Sequence, residues 1–205
     1  MKYFRHVFWT ALATLLILGS TANAQVETEW KVYPEPKDTI QFPDILGYQT
    51  LKCDFHMHTV FSDGLVWPSV RVEEAWREGL DAISITDHIE YQPHENDIPT
   101  DHNRPYEMVV GHAKRRNILL PRGTEITRDT PPGHFNAIFL KDVDELEQDN
   151  LLDVIETANE QGGFVFWNHP GWKGPERGKW GEIQEAAYEN KWLHGIEVFN
   201  GGTYY

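Results

Sequence analysis

Two histidines in Asp54-Phe-His-Met-His-Thr-Val-Phe-Ser-Asp-Gly64 are the first side chains in this sequence whose type and spacing could do chemistry. Successive side chains of a strand alternate faces, so His56 and His58 point the same way. The run Leu51-Lys-Cys53 leads into them, and Ser62-Asp63-Gly64 then turns the chain sharply. Two imidazoles at a strand end, with the Asp63 carboxylate returning from the turn, begin a metal site. An isolated His-x-His also arises by chance at a solvated strand end, so the later histidines decide between the two readings.

Those histidines recur where strands are expected to end. Ala82, Ser84, Thr86 and His88 share one face of a strand over Asp81–His88, with Ile83 and Ile85 on the other. A third strand, Ile118–Ile126, reaches Glu125 near its end; a fourth, His134–Leu140, has its histidine at the start. A fifth, Phe164–Trp167, runs into Asn168-His169-Pro170, and a sixth covers Gly195–Phe199. Helices are expected between them: Pro68 to about Glu78, stopped by Gly79; about Tyr106 to Arg116; Asp142 to Gln161; and about Glu182 to Trp192. Alternation of strand and helix predicts an α/β domain of parallel units, and in α/β barrels functional groups gather at the C-terminal strand ends. The constellation His56, His58, Asp63, His88, Glu125, His134 and His169 therefore reads as a metal site.

Composition bounds the setting. Met1-Lys-Tyr-Phe-Arg5, an apolar run from Val7 to Leu18 and Ala22-Asn-Ala24 have the order of a secretory signal over residues 1–24. The run is shorter than the ~20 residues that span a bilayer, so cleavage after Ala24 is expected, with an exported product, periplasmic or extracellular, and no membrane span. Residues 25–49 read as an extended arm anchored by Trp30 and Tyr33, and 50–205 as one domain. Cys53 is the only cysteine, which removes internal disulfides; its place in the first strand predicts a buried small apolar side chain. A formal charge of −14 argues against general nucleic-acid binding. Bound cations can still reverse the field locally for a phosphate substrate.

Five motifs in order, HMHTVFSDG, ITDH, GTEI, GHFNAI and WNHPG, resemble the PHP (polymerase and histidinol phosphatase) family of metal-dependent phosphoesterases, from about Cys53 to Asn200. The resemblance implies a distorted parallel (β/α)7 TIM-like barrel with a di- or trinuclear metal centre. It implies that His56, His58 and Glu125 bind a first ion, that Glu125 bridges to a second held by His134 and His169, and that Asp63 and His88 bind a third. Zinc, manganese and iron all fit such ligands. The family pattern also has a late Asp-x-His and a final strand, which residues 1–205 do not show, so the expectation is of a PHP domain that continues in a longer chain.

The chemistry implied is hydrolysis of a small phosphate ester by water that the cations activate. Arg128 follows the Glu125 strand end and is a candidate for holding a substrate phosphate. Arg104 and His94 lie in the long loop after His88; His94 is a candidate proton donor to a leaving group. Asp54 shares the His56 face and is a candidate to orient its imidazole, with Glu197 and Asn200 as further supports. His102, His112 and His194 read as surface or structural. Two other classes stay open: an amidohydrolase-like hydrolase, whose barrels also begin with His-x-His but use a carboxylated lysine where Glu125 stands here, and a non-catalytic binder of metal or phosphate.

Overall fold

A computed structural model describes residues 41–98, 101–174 and 178–201. The expected signal over 1–24 and the arm's anchors Trp30 and Tyr33 lie outside the described residues. Of the arm, 41–49 are exposed, and Ile45 and Tyr48 pair across a tight turn at Leu46 and Gly47.

Among the described residues are six strands and four α-helices: β1 (Cys53–Met57), α1 (Pro68–Glu78), β2 (Ala82–Ile85), α2 (Arg104–Arg115), β3 (Gly123–Ile126), β4 (Phe135–Ile138), α3 (Leu151–Glu160), β5 (Phe164–Trp167), α4 (Glu182–Glu189) and β6 (Gly195–Ile196). They form a mixed α/β fold with parallel pairs β1–β2 and β5–β6. Backbone bridges Ala82–Leu119 and His88–Glu125, both parallel, connect the β1–β2 sheet to the β3–β4–β5–β6 sheet.

The expectation of uniformly parallel strands fails at β4, which is antiparallel to both β3 and β5. The connection 127–134 is too short for the crossover of a dozen or more residues that a parallel return needs. This reversal accounts for His134 preceding its strand. An antiparallel strand begins where its neighbours end, so His134 arrives beside Glu125 and His169.

Two apolar clusters fix the strands. Val72 and Ala75 of α1 and Val109 and Ala113 of α2 pack on Ile83 and Ile85 of β2. The larger cluster packs Val154, Ile155 and Ala158 of α3 and Ala187 of α4 against Ile126, Phe135, Ala137, Val165 and Trp167 of the four-stranded sheet. All four residues of β2 and of β4 are buried, because both of their faces are covered. Helix α1 has Pro68 in its first turn and Gly79 in the left-handed region at its end, as expected.

The helix expected over Asp142–Gln161 is divided. Asp144–Leu146 makes one 3-10 turn, and Asn150 starts α3 afresh by accepting from the Leu152 and Asp153 amides. Arg104, expected in a loop, opens α2 and pairs on its surface with Glu107 at 3.9 Å. Cys53 is exposed, not buried, since β1 pairs on only one side among the described residues.

Candidate metal centre

Glu125 is fully buried, and five imidazoles converge on its carboxylate. Oε2 lies 3.0 Å from His56 Nε2, 3.1 Å from His58 Nε2 and 3.6 Å from His88 Nδ1. Oε1 lies 2.9 Å from His134 Nδ1 and 3.5 Å from His169 Nε2. Asp63 stands across from Glu125, 3.8 Å from His58 Nδ1 and 3.7 Å from His88 Nε2. The structure thus gathers all seven ligand candidates at one mouth.

Each side chain reaches this point for a local reason. Residues of β1 alternate, so His56 and His58 share a face, and their rings meet edge to face at 5.2 Å. Gly64 lets the following turn fold against β1: a Cβ there would lie 2.6 Å from the His58 carbonyl carbon and oxygen. His169 follows β5 with φ of 25°, a conformation rare for a side-chain-bearing residue and the kind of strain found at functional sites.

The supports differ in part from those expected. Asp54 accepts the His56 backbone amide at 3.1 Å and does not hold its ring. Glu197 does so instead, at 2.9 Å from Nδ1, while its other oxygen accepts the His169 amide at 2.9 Å. Asn200 donates to both Glu197 oxygens at 3.2 Å. Two supports had escaped the sequence reading. Asp87, inside the Thr-Asp-His run, accepts Thr59 N and Oγ1 at 2.6 Å and Ser62 Oγ at 2.7 Å, tying the first loop to β2. Thr127, two residues past Glu125 and hence on its strand face, meets His88 Nδ1 at 2.6 Å.

Charge and burial oppose each other here. Burial pushes the Glu125 carboxyl up, but hydrogen bonds from His134, His169, His56 and His58 outweigh it and hold it well below the usual carboxylate range. Burial pushes His56 down, and Glu125 and Glu197 on its two nitrogens reverse that, raising it to about 10. The His88 contact, helped by His58, holds Asp63 low. Burial raises Asp87 despite its three donors.

A cation fits this arrangement. Three overlapping groups, His56–His58–Glu125, His58–Asp63–His88 and His88–Glu125–His134, each bring ligand atoms within 4.8 Å of one another. Nitrogen and carboxylate donors without thiolates suit borderline transition ions.

The cluster opens into a cleft of about 1190 Å³. Arg128 lines it, but its guanidinium is already bound to Glu90, to Thr127 and Gln148 carbonyls at 2.8 Å and to the Asp149 carbonyl at 3.4 Å. His94 and Arg104 do not line it. His94 sits in a turn whose carbonyl accepts from Asp97 and Ile98. His102 meets Gln92, His112 meets Glu73 and His194 accepts from the Val165 amide, all structural places. Two aromatic side chains not singled out from sequence touch the cluster: Tyr91 beside His88, and Trp172 beside His134 and His169. Among the described residues, no helix is long and apolar enough to cross a membrane.

No protein-family model and no curated protein matches the chain. A solved two-domain protein from Bacteroides vulgatus, containing a predicted PHP-like metal-dependent phosphoesterase, is 55% identical, with a TM-score of 0.76. The match covers 80% of this chain and 48% of that protein, so the chain spans about half its length. A candidate metal-dependent phosphoesterase from Bifidobacterium adolescentis is 19% identical, covering 74% of this chain and 78% of its own, with a TM-score of 0.53. An amidohydrolase from Chromobacterium violaceum, solved with sulfate and no metal, is 14% identical, covering 72% and 76%, with a TM-score of 0.51. The latter two show a shared fold alone. In sequence and in fold, the chain is similar to the protein containing a predicted PHP-like metal-dependent phosphoesterase, the family that its five motifs in order resemble.

Proposed function

We propose that the chain carries a metal-dependent phosphoesterase site in which Glu125 and the surrounding imidazoles hold two or three divalent ions of zinc, manganese or iron. The observation that carries this is the convergence of His56, His58, His88, His134 and His169 on one buried carboxylate at the floor of an open cleft. His56, His58 and Glu125 would hold one ion, Glu125, His134 and His169 a second, and Asp63 and His88 a third. Cations bound there would supply positive charge opposite the phosphoryl oxygens and lower the pKa of water, which the side chains alone do not do.

The protein's own contribution is position and charge. Glu125 is the shared anion between facing histidines. Glu197 fixes the His56 ring and, through the His169 amide, the turn that presents the opposite ligand. Thr127 occupies His88 Nδ1, which leaves Nε2 toward Asp63. Asn136 donates to the Phe55 carbonyl at 3.0 Å and accepts from Asn168 at 2.8 Å, joining β1, β4 and the end of β5 beneath the ligands. The sequential strand order supports a distorted TIM-like barrel as the scaffold. We place the site in an exported protein acting on small phosphate esters.

A carboxylate at the position shared between ions favours this reading over an amidohydrolase-like one. The test is a screen of phosphate esters beside amides and lactones, with Glu125→Ala as control. Metal-dependent phosphate release that Glu125→Ala abolishes is expected; hydrolysis of amides or lactones alone would transfer the assignment to the second class.

A further inference from the structure

Arg71, Arg128 and Lys173 are the cationic side chains among the described residues lining the cleft. Arg71 donates from Nε to the His58 carbonyl and from Nη1 to Glu74, each at 2.9 Å. Arg128 is consumed by Glu90 and three carbonyls. Lys173 has no carboxylate partner among the described residues. Its ammonium lies 4.7 Å from the centre of the Trp172 ring, where the aromatic face holds a cation without neutralising it.

That ring is part of the site's architecture. It lies 5.3 Å from the His134 ring and 5.4 Å from the His169 ring. The Trp172 amide donates to the His169 carbonyl at 2.9 Å, so one turn, His169-Pro-Gly-Trp172, carries both a ligand candidate and the ring beneath Lys173. Lys173 thus lines the cleft beside that ring, with no carboxylate partner among the described residues.

Resting on the phosphoesterase reading, we propose that Lys173, held over Trp172, is a specificity-determining residue that binds a phosphoryl oxygen and selects monoesters over diesters. A lysine acts on phosphate as a point charge. A monoester near neutral pH carries almost two negative charges and three unesterified oxygens; a diester carries one charge and presents two such oxygens. The additional ammonium therefore interacts more strongly with the monoester.

The test uses the metal-loaded full chain and calorimetric binding of inorganic phosphate, a dianion at mildly alkaline pH, against dimethyl phosphate, a monoanion. Lys173→Gln is expected to weaken phosphate binding about tenfold or more, the scale of one lost charge-assisted hydrogen bond. Dimethyl phosphate should change by less than about threefold, and Lys173→Arg should recover most of the phosphate affinity. Lys114→Gln, on the outer surface of α2, should alter neither, and metal content should be unchanged throughout. In turnover, the preference for phenyl phosphate over diphenyl phosphate should fall in parallel. Equal phosphate affinity in wild type and Lys173→Gln overturns the lysine's role and leaves the phosphoesterase reading intact. Failure of the metal-loaded wild type to bind phosphate at all overturns both.

Discussion

His56 is pressed between two carboxylates, Glu125 on Nε2 and Glu197 on Nδ1, and without metal it holds a proton up to about 10. A ligand nitrogen must be free of its proton, so metal uptake at neutral pH has to expel it. Metal affinity should therefore rise with pH across the neutral range. Titration calorimetry in two buffers of different ionisation enthalpy should show at least about one proton released per chain at pH 7; no release would mean that His56 is not a ligand. Glu197→Gln removes one of the two anions and loosens the ring, and a loss of roughly 10–100-fold in metal affinity is expected, the usual scale for removing a group that orients a ligand. Equilibrium dialysis measures it. An unchanged affinity would reduce Glu197 to a surface acid. Of these residues, the ligand candidates were legible in the sequence, because each lies in a short run at a strand end. The sequence did not separate Asp54 from Glu197 as the support for His56, since that depends on the chain after β6 bringing Glu197 to His56 and not on local spacing.

At the scale of elements, the loop after β1 shapes the site, and the α1–α2 pair packs on β2. Gly64→Ala would drive a Cβ into the His58 carbonyl, and since backbone, not a flexible side chain, is in the way, the Asp63 turn must shift. Destabilisation of about 1–3 kcal/mol is expected, with looser metal binding on the Asp63 side; urea unfolding and metal titration measure the two effects. Helices α1 and α2 are joined by Glu73, which accepts Arg116 Nε and Nη2 at 2.9 Å and meets His112 at 2.6 Å. Burial pushes the Glu73 carboxyl up, and Arg116 and His112 outweigh this and hold it low. A depressed carboxyl stabilises the fold above its unfolded pKa of about 4.3, and that stability is lost as pH falls through the lower folded value. Glu73→Gln should thus cost up to about 1 kcal/mol at pH 7 for this partly exposed pair. In thermal unfolding the gap from wild type should close below about pH 4; a gap independent of pH would assign Glu73 a packing role only. Helix periodicity and caps were readable in advance for α1, whose Pro68 and Gly79 bound it. The direction of β4 was also accessible, from the short connection 127–134, but the rhythm of strand and helix masked it.

For the whole molecule, seven chemistry-bearing residues from five separate stretches of chain meet at one cleft, and their types, order and approximate strand-end positions were legible in the sequence. What stayed hidden depends on long-range contacts. Arg128 looked free because nothing nearby in sequence shows Glu90 or the Gln148 carbonyl turning toward it. Cys53 looked buried because an edge strand cannot be told from a central one by composition. The same convergence gives the central claim its most direct test, elemental analysis of the full chain after dialysis against metal-free buffer, beside Glu125→Ala. Since Glu125 lies within reach of all five imidazoles, at least about two transition ions per chain are expected in wild type, with most of them lost in Glu125→Ala. Fewer than about one ion per chain in wild type, or an unchanged count in Glu125→Ala, would contradict a centre built around that carboxylate.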